Sequence, residues 1–231
     1  MAGNDLDKIP KIIGLGLGRT GTSSLLIAFE SLGIKPAYHM FSIIKRKSKE
    51  EFDQWTKIAL EGGTVEEIRT LLDPYPVILD YPAAMFPELV YEAYPDAKFI
   101  LASTVRDPAK WALSVQNTFG KSREQYRTAP SSDPFWQAWY EFVTKIVDEW
   151  FHSGVRYTHG AEEFVKHRER VKKAVPADKL LIYEVGEGWD RLTEFIGIGT
   201  PTESFPHVND TAEFQKFIAD SLAAKEAAKS G

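Results

Sequence analysis

The chain has 231 residues, 43% of them hydrophobic and 26% charged, with a formal net charge of -5 and no cysteine. That length suits one domain with a sizeable core and the composition excludes general disorder, while the acidic balance weighs against a nucleic-acid partner. Absence of cysteine removes disulfides and thiolate metal sites; absence of a ~20-residue apolar run removes a membrane span, and the acidic start is not a secretory signal, so a cytoplasmic protein is expected.

In chain order, Lys11-Ile-Ile-Gly-Leu-Gly16 is an apolar run ending in glycines, and Leu25, Leu26, Phe29 and Leu32 then recur at helical spacing. Strand, glycine loop and helix are predicted there. A short second strand ending near His39 follows, then helices over 51–60 and 65–72, a strand over 76–80 and a helix over 86–93. A strand is predicted over 97–104, helices over 108–119, 134–151 and 161–174, and a strand over 179–183 after the Val175-Pro176 break. Residues 197–206 read as irregular and 211–224 as a last helix. Alternating strands and helices without a repeat or linker predict a single three-layer α/β domain over 1–231, with a mainly parallel central sheet and peripheral ends.

The glycine loop Gly14-Leu-Gly-Leu-Gly-Arg-Thr-Gly-Thr-Ser-Ser24 carries the chemistry, because such a turn presents backbone N–H groups to a phosphate. Gly16-Leu-Gly18-Arg-Thr-Gly21 fits the glycine pattern of NAD(P)-binding oxidoreductases, yet the residues about 20 positions on, Lys35-Pro-Ala-Tyr-His-Met40, lack the acid that would hold a ribose. Read as the P-loop of a nucleotide-binding protein, hydrolase or kinase, it has Thr22 in place of the usual Lys, with Arg19 supplying nearby charge.

Arg19-Thr-Gly-Thr-Ser-Ser24 resembles the 5'-phosphosulfate loop of P-loop sulfotransferases, and Thr104-Val-Arg-Asp-Pro-Ala-Lys-Trp-Ala-Leu-Ser114 resembles their 3'-phosphate motif. An Arg at a strand end and a Ser two turns into the next helix can converge on one phosphate. Asp80-Tyr-Pro-Ala-Ala, Ala93-Tyr-Pro-Asp-Ala-Lys-Phe-Ile and Leu181-Ile-Tyr-Glu184 extend the likeness across 11–210, in the order of a little-characterised sulfotransferase-like branch. The resemblance implies a P-loop nucleoside-triphosphatase-like fold and 3'-phosphoadenosine 5'-phosphosulfate (PAPS) as donor, leaving 3',5'-adenosine bisphosphate. Gly18, Arg19, Thr20, Gly21, Thr22 and Ser23 would hold the donor with Arg106 and Ser114, and Tyr183 would lie near the adenine. The family's frequent Trp after the loop is replaced by Ser24 and Leu25.

Sulfuryl transfer needs an in-line acceptor oxygen, a base for its proton and positive charge on the leaving phosphate. Arg19 supplies the charge. His39 and Asp80 both end strands, so both face the carboxyl edge where α/β sheets bind ligands. His is the better base near neutrality, with Asp80 assisting, although the reverse assignment stays open. The acceptor is expected to be a small molecule bearing a hydroxyl or amine. No metal site is expected, since His152, His159, His167 and His207 have no ligand spacing. Trp136, Trp139, Tyr140 and Trp150 read as packing aromatics that could form an apolar wall.

Overall fold

The computed structural model describes residues 9–103, 107–128 and 130–207. The helix predicted over 211–224 lies outside them. β1 (Ile12–Gly14) leads through the glycine loop to α1 (Thr22–Ser31), followed by β2 (Ala37–Tyr38), α2 (Met40–Arg46), α3 (Lys49–Glu61) and α4 (Val65–Leu72). Next come β3 (Val77–Leu79), α5 (Pro87–Ala93) and β4 (Lys98–Ser103). α6 (Pro108–Val115) passes through a π-helical stretch, Gln116–Gly120, into α7 (Lys121–Thr128), and α8 (Pro134–Glu141) continues as a second one, Phe142–Phe151. α9 (Gly160–Ala174), β5 (Leu180–Glu184) and α10 (Asp190–Ile196) complete the order.

The local chemistry explains these starts. Ser48, Thr64, Asp107 and Asp133 each accept a first-turn N–H of α3, α4, α6 and α8, and Pro108 and Pro134 occupy first helical positions, where a missing N–H costs nothing. α2 and α10 escape the periodicity reading because seven residues give too short a window for a helical period.

The five strands lie in the order β2-β3-β1-β4-β5 and every pairing is parallel. Side chains alternate between two cores. Ile13, Ile78, Phe99 and Leu101 join Trp55, Trp111, Phe142 and Phe164 on one face, while Ile12, Val77, Ile100 and Ala102 meet Leu25 and Phe29 of α1 and Leu192 and Ile196 of α10 on the other. A sheet covered on both faces needs near-continuous apolar strands, which is why the predicted runs were legible. The result is the expected three-layer α/β fold with a parallel central sheet. Because the strands are parallel, the glycine loop, His39 and Asp80 all emerge at one edge. Among the described residues no helix is long and apolar enough to cross a membrane.

Candidate active site

The loop after β1 is held from behind. His167 of α9 donates Nε2–H to the Leu15 carbonyl at 2.7 Å, and Trp111 of α6 donates its indole N–H to the Gly18 carbonyl at 3.0 Å. A Cβ at Gly18 would lie 3.1 Å from the Tyr81 ring and 3.2 Å from Asp80 Oδ1, so only glycine lets the loop approach Asp80 this closely. Gly21 caps α1 at φ 90°, a left-handed conformation that glycine adopts without a steric penalty. Having no side chain, Gly21 gives α1 no N-cap side-chain bond, unlike the cap residues of α2, α3, α4, α6 and α8. No acidic residue stands in that first turn. An open, positively poised helix start with buried Thr22 and Ser23 beside it fits an anionic phosphosulfate group.

Arg19 has φ 73° and Asp80 φ 67°, a left-handed region that non-glycine residues seldom occupy, so the fold holds both functional side chains against local preference. Arg19 donates Nε–H to Ser114 Oγ at 3.2 Å, which joins the two motifs that the sequence separates by 95 residues. Arg106 lies outside the described residues. Tyr183 is buried beneath α10, with its hydroxyl donating to the Gly188 carbonyl at 2.6 Å. It borders a groove with Pro108, at the start of α6. Among the described residues no group of three or more His, Cys, Asp or Glu side chains could hold a metal ion.

His39 and Asp80 do meet. His39 Nε2 lies 3.1 Å from Thr22 Oγ1 and 3.4 Å from Asp80 Oδ2. The other ring nitrogen is committed: His39 caps α2, its Nδ1 accepting the Phe41 N–H at 3.1 Å, while Ser42 Oγ bridges the His39 N–H and C=O. A nitrogen that accepts an N–H carries a lone pair, so the proton of the neutral ring sits on Nε2, facing Asp80 and Thr22. Complete burial pushes the His39 pKa down to about 3.

These side chains open onto a pocket of about 40 Å³, room for a few water molecules and smaller than the usual small-molecule site. Met40, Phe41, Ile44, Trp139, Val143 and Val147 form an apolar wall opposite the loop. Trp139 thus contributes to the wall expected of the aromatic cluster, whereas Tyr140 stacks on Tyr126 and Trp150 packs on Phe86. Both π-helical stretches border the cavity, through Phe119 and through Val143 and Val147, consistent with the frequency of such widened turns at functional sites. Sequence reading missed Tyr81, Phe119 and Arg156 as lining residues. Their positions follow from where β3 and the widened helices end up, and only Tyr81, next to Asp80, carried a local signal.

The neutrality of the buried imidazoles has a consequence for stability. His39 titrates at about 3 and His167 at about 4, both lowered chiefly by burial, whereas an unfolded chain binds those protons near pH 6.5. Stability is therefore full above pH 6.5 and falls as the pH drops toward the folded values. Unfolding free energies from urea titrations at pH 7.5 and pH 5 are expected to differ by on the order of 2–4 kcal/mol in favour of the higher pH, read as a higher midpoint. Equal midpoints would mean that these histidines are charged in the folded protein.

The fold and the site together define a parallel α/β protein built to receive an anionic group at the carboxyl edge of its sheet. Comparison with known proteins gives the class a family. A sulfotransferase-domain family model matches residues 11–214, and the chain belongs to that sulfotransferase family. It is 33% identical over 215 residues to "Ava biosynthesis cluster protein M" of Aspergillus versicolor, covering 86% of this chain and 80% of the relative. A crystal structure of a sulfotransferase from Alicyclobacillus acidocaldarius is 17% identical, covers 94% of each chain and superposes with a TM-score of 0.44.

Proposed function

We propose that this sulfotransferase takes its sulfuryl group from PAPS and passes it to a hydroxyl or amine of a small acceptor, with Asp80 receiving the acceptor's proton. The observation that carries the reading is the convergence of Arg19, Thr22, His39 and Asp80 on one cavity, with Ser114 bonded to Arg19. When bound, the donor supplies an activated S–O bond, and its cleavage releases 3',5'-adenosine bisphosphate. Gly18 to Ser23 form the P-loop that would hold the 5'-phosphosulfate, through the open N–H groups of α1 and the Arg19 charge. Ser114 and Arg106 would hold the 3'-phosphate, and the groove bordered by Pro108 and Tyr183 is the candidate adenine side.

The order of roles between the two candidate bases follows from proton positions. His39 already carries its proton on Nε2, and its Nδ1 lone pair is used by the Phe41 N–H. To accept a further proton it would have to give up that bond and charge a wholly buried ring. Protonating Asp80 instead removes a buried negative charge. In this reading the acceptor O–H loses its proton to the Asp80 carboxylate as its oxygen attacks sulfur, and His39 orients that carboxylate. Thr22, beside the His39 ring, ties the pair to the loop.

Calorimetry with 3',5'-adenosine bisphosphate, ATP and NAD tests the donor. The bisphosphate is expected to bind and to stabilise the fold by about 2.7 kcal/mol at a hundred times its Kd, read as a rise in Tm. Arg106→Ala should weaken the bisphosphate by 10-fold or more beyond its effect on adenosine 5'-monophosphate, because only the former has the 3'-phosphate. Tight ATP binding with no response to the bisphosphate would remove PAPS as donor.

A further inference from the structure

Behind the glycine loop lies a second buried polar chain, which begins at the residue after Asp80. The hydroxyl of Tyr81 is 3.1 Å from His152 Nε2, and His152 Nδ1 is 3.1 Å from Glu163 Oε2. Lys166 donates to the other Glu163 oxygen at 3.3 Å. A carboxylate paired with a lysine accepts, so the imidazole proton sits on Nδ1 and the Tyr81 hydroxyl donates to the Nε2 lone pair. Tyr81 and His152 are both buried, with the rings of Trp111 and Phe151 against the imidazole. Burial, followed by the nearby Arg156 charge, pushes the His152 pKa down to about 2, which keeps the ring neutral and the order of donors fixed. In such low-dielectric surroundings each hydrogen bond of the chain is strong and each unmet member costly.

The chain ends where the site begins. A Cβ at Gly18 would meet the Tyr81 ring at 3.1 Å, and Tyr81 shares a peptide bond with Asp80, whose φ of 67° persists only while its neighbours hold it. On α9, Glu163 and His167 lie one turn apart, and His167 donates to the Leu15 carbonyl. One helix face therefore holds the glycine loop directly and Tyr81 through His152. The His39 contact at 3.4 Å acts on the Asp80 carboxylate, whereas the Tyr81 anchor acts on its backbone. We infer that Tyr81 and His152 are positioning residues for sulfuryl transfer: with Glu163 they lock the backbone that aims the Asp80 carboxylate at the acceptor's proton. The inference rests on the reading of Asp80 as the base.

Tyr81→Phe removes the hydroxyl and keeps the ring against Gly18. By NMR of protein carrying isotope-labelled histidine, with neither donor nor acceptor present, exchange of the His39 Nε2–H is expected to quicken ~10-fold or more, because Asp80 is no longer held toward it. Amides of β1 and β4 should exchange at wild-type rates. An unchanged His39 proton would overturn the inference. With PAPS and phenol as substrates, turnover is expected to fall ~10-fold, while KM for phenol and Kd for 3',5'-adenosine bisphosphate stay within ~3-fold. In an Asp80→Asn background the same substitution should cost less than ~2-fold, since it acts through that carboxylate; an equal factor in both backgrounds makes Tyr81 a structural residue and refutes the role. Should Tyr81→Phe melt early, Tyr81→Phe with His152→Leu replaces both polar partners by apolar groups and is read by the same two measurements. Near wild-type turnover in Asp80→Asn alone would remove the base reading and the inference with it, an outcome distinct from a failure of the Tyr81 variant.

Discussion

Asp80→Asn is expected to lower turnover by a factor on the order of 10²–10⁴ while leaving affinity for 3',5'-adenosine bisphosphate close to wild type, because the amide keeps the carboxylate's shape but cannot take the acceptor's proton. The His39 Nε2–H can still donate to the amide oxygen, so the geometry at 3.4 Å survives and the loss reports on proton transfer. His39→Ala removes the group that orients the carboxylate, together with the α2 cap and the Thr22 contact, and a smaller fall, on the order of 10-fold, is expected. The acceptor used should have an ordinary alcohol or phenol pKa, since an acidic phenol reacts without a base and hides the difference. The pH profile gives a second readout: the acid limb should persist in His39→Ala, because the limb belongs to Asp80. A near wild-type Asp80→Asn beside an inactive His39→Ala would exchange the two roles.

Arg19→Gln is expected to cost on the order of 10²–10³ in turnover, since it removes the positive charge next to the leaving phosphate while leaving the backbone N–H groups of the loop in place. Arg19 also donates to Ser114, so part of any loss could come from the α6 contact. Ser114→Ala isolates that part: it removes the hydroxyl and retains the charge, and a fall of ~10-fold or less is expected. Arg19→Lys should recover part of the Arg19→Gln deficit by restoring charge without the planar fork. If Arg19→Gln and Ser114→Ala lose the same amount, Arg19 is a positioning residue for α6 and does not stabilise charge.

Much of the fold was written locally. The β1, β3 and β4 runs are apolar because the central strands are covered on both faces, and the boundaries of α4 and α9 follow from Thr64 at a cap and from apolar spacing in 161–174. The strand, glycine loop and helix at the start of the fold were equally legible, because glycines end an apolar run before helical spacing resumes. The sequence reading paired Ser114 with Arg106, which lies outside the described residues; the bond from Arg19 to Ser114 was not anticipated and depends on α6 packing beside the loop, where Trp111 donates to the Gly18 carbonyl.

What the amino-acid sequence determined by itself is therefore the α/β class, the anion-binding loop and the pair of strand-end residues, His39 and Asp80, since each depends on neighbours in the chain. Tertiary structure brought that pair together: the cap that engages His39 Nδ1 is local, with Phe41 and Ser42 close in the chain, but the burial of the ring and its approach to Thr22 and Asp80 arise only when β2, α1 and β3 pack together. The same holds for Arg156, 76 residues beyond Asp80 in the chain, whose place in the cavity was invisible to any local pattern. Its partners, Phe119, Tyr81 and Asp148, are brought to it by the folding of three separate segments, and only that packing turns an ordinary arginine into a buried, partly unmet donor.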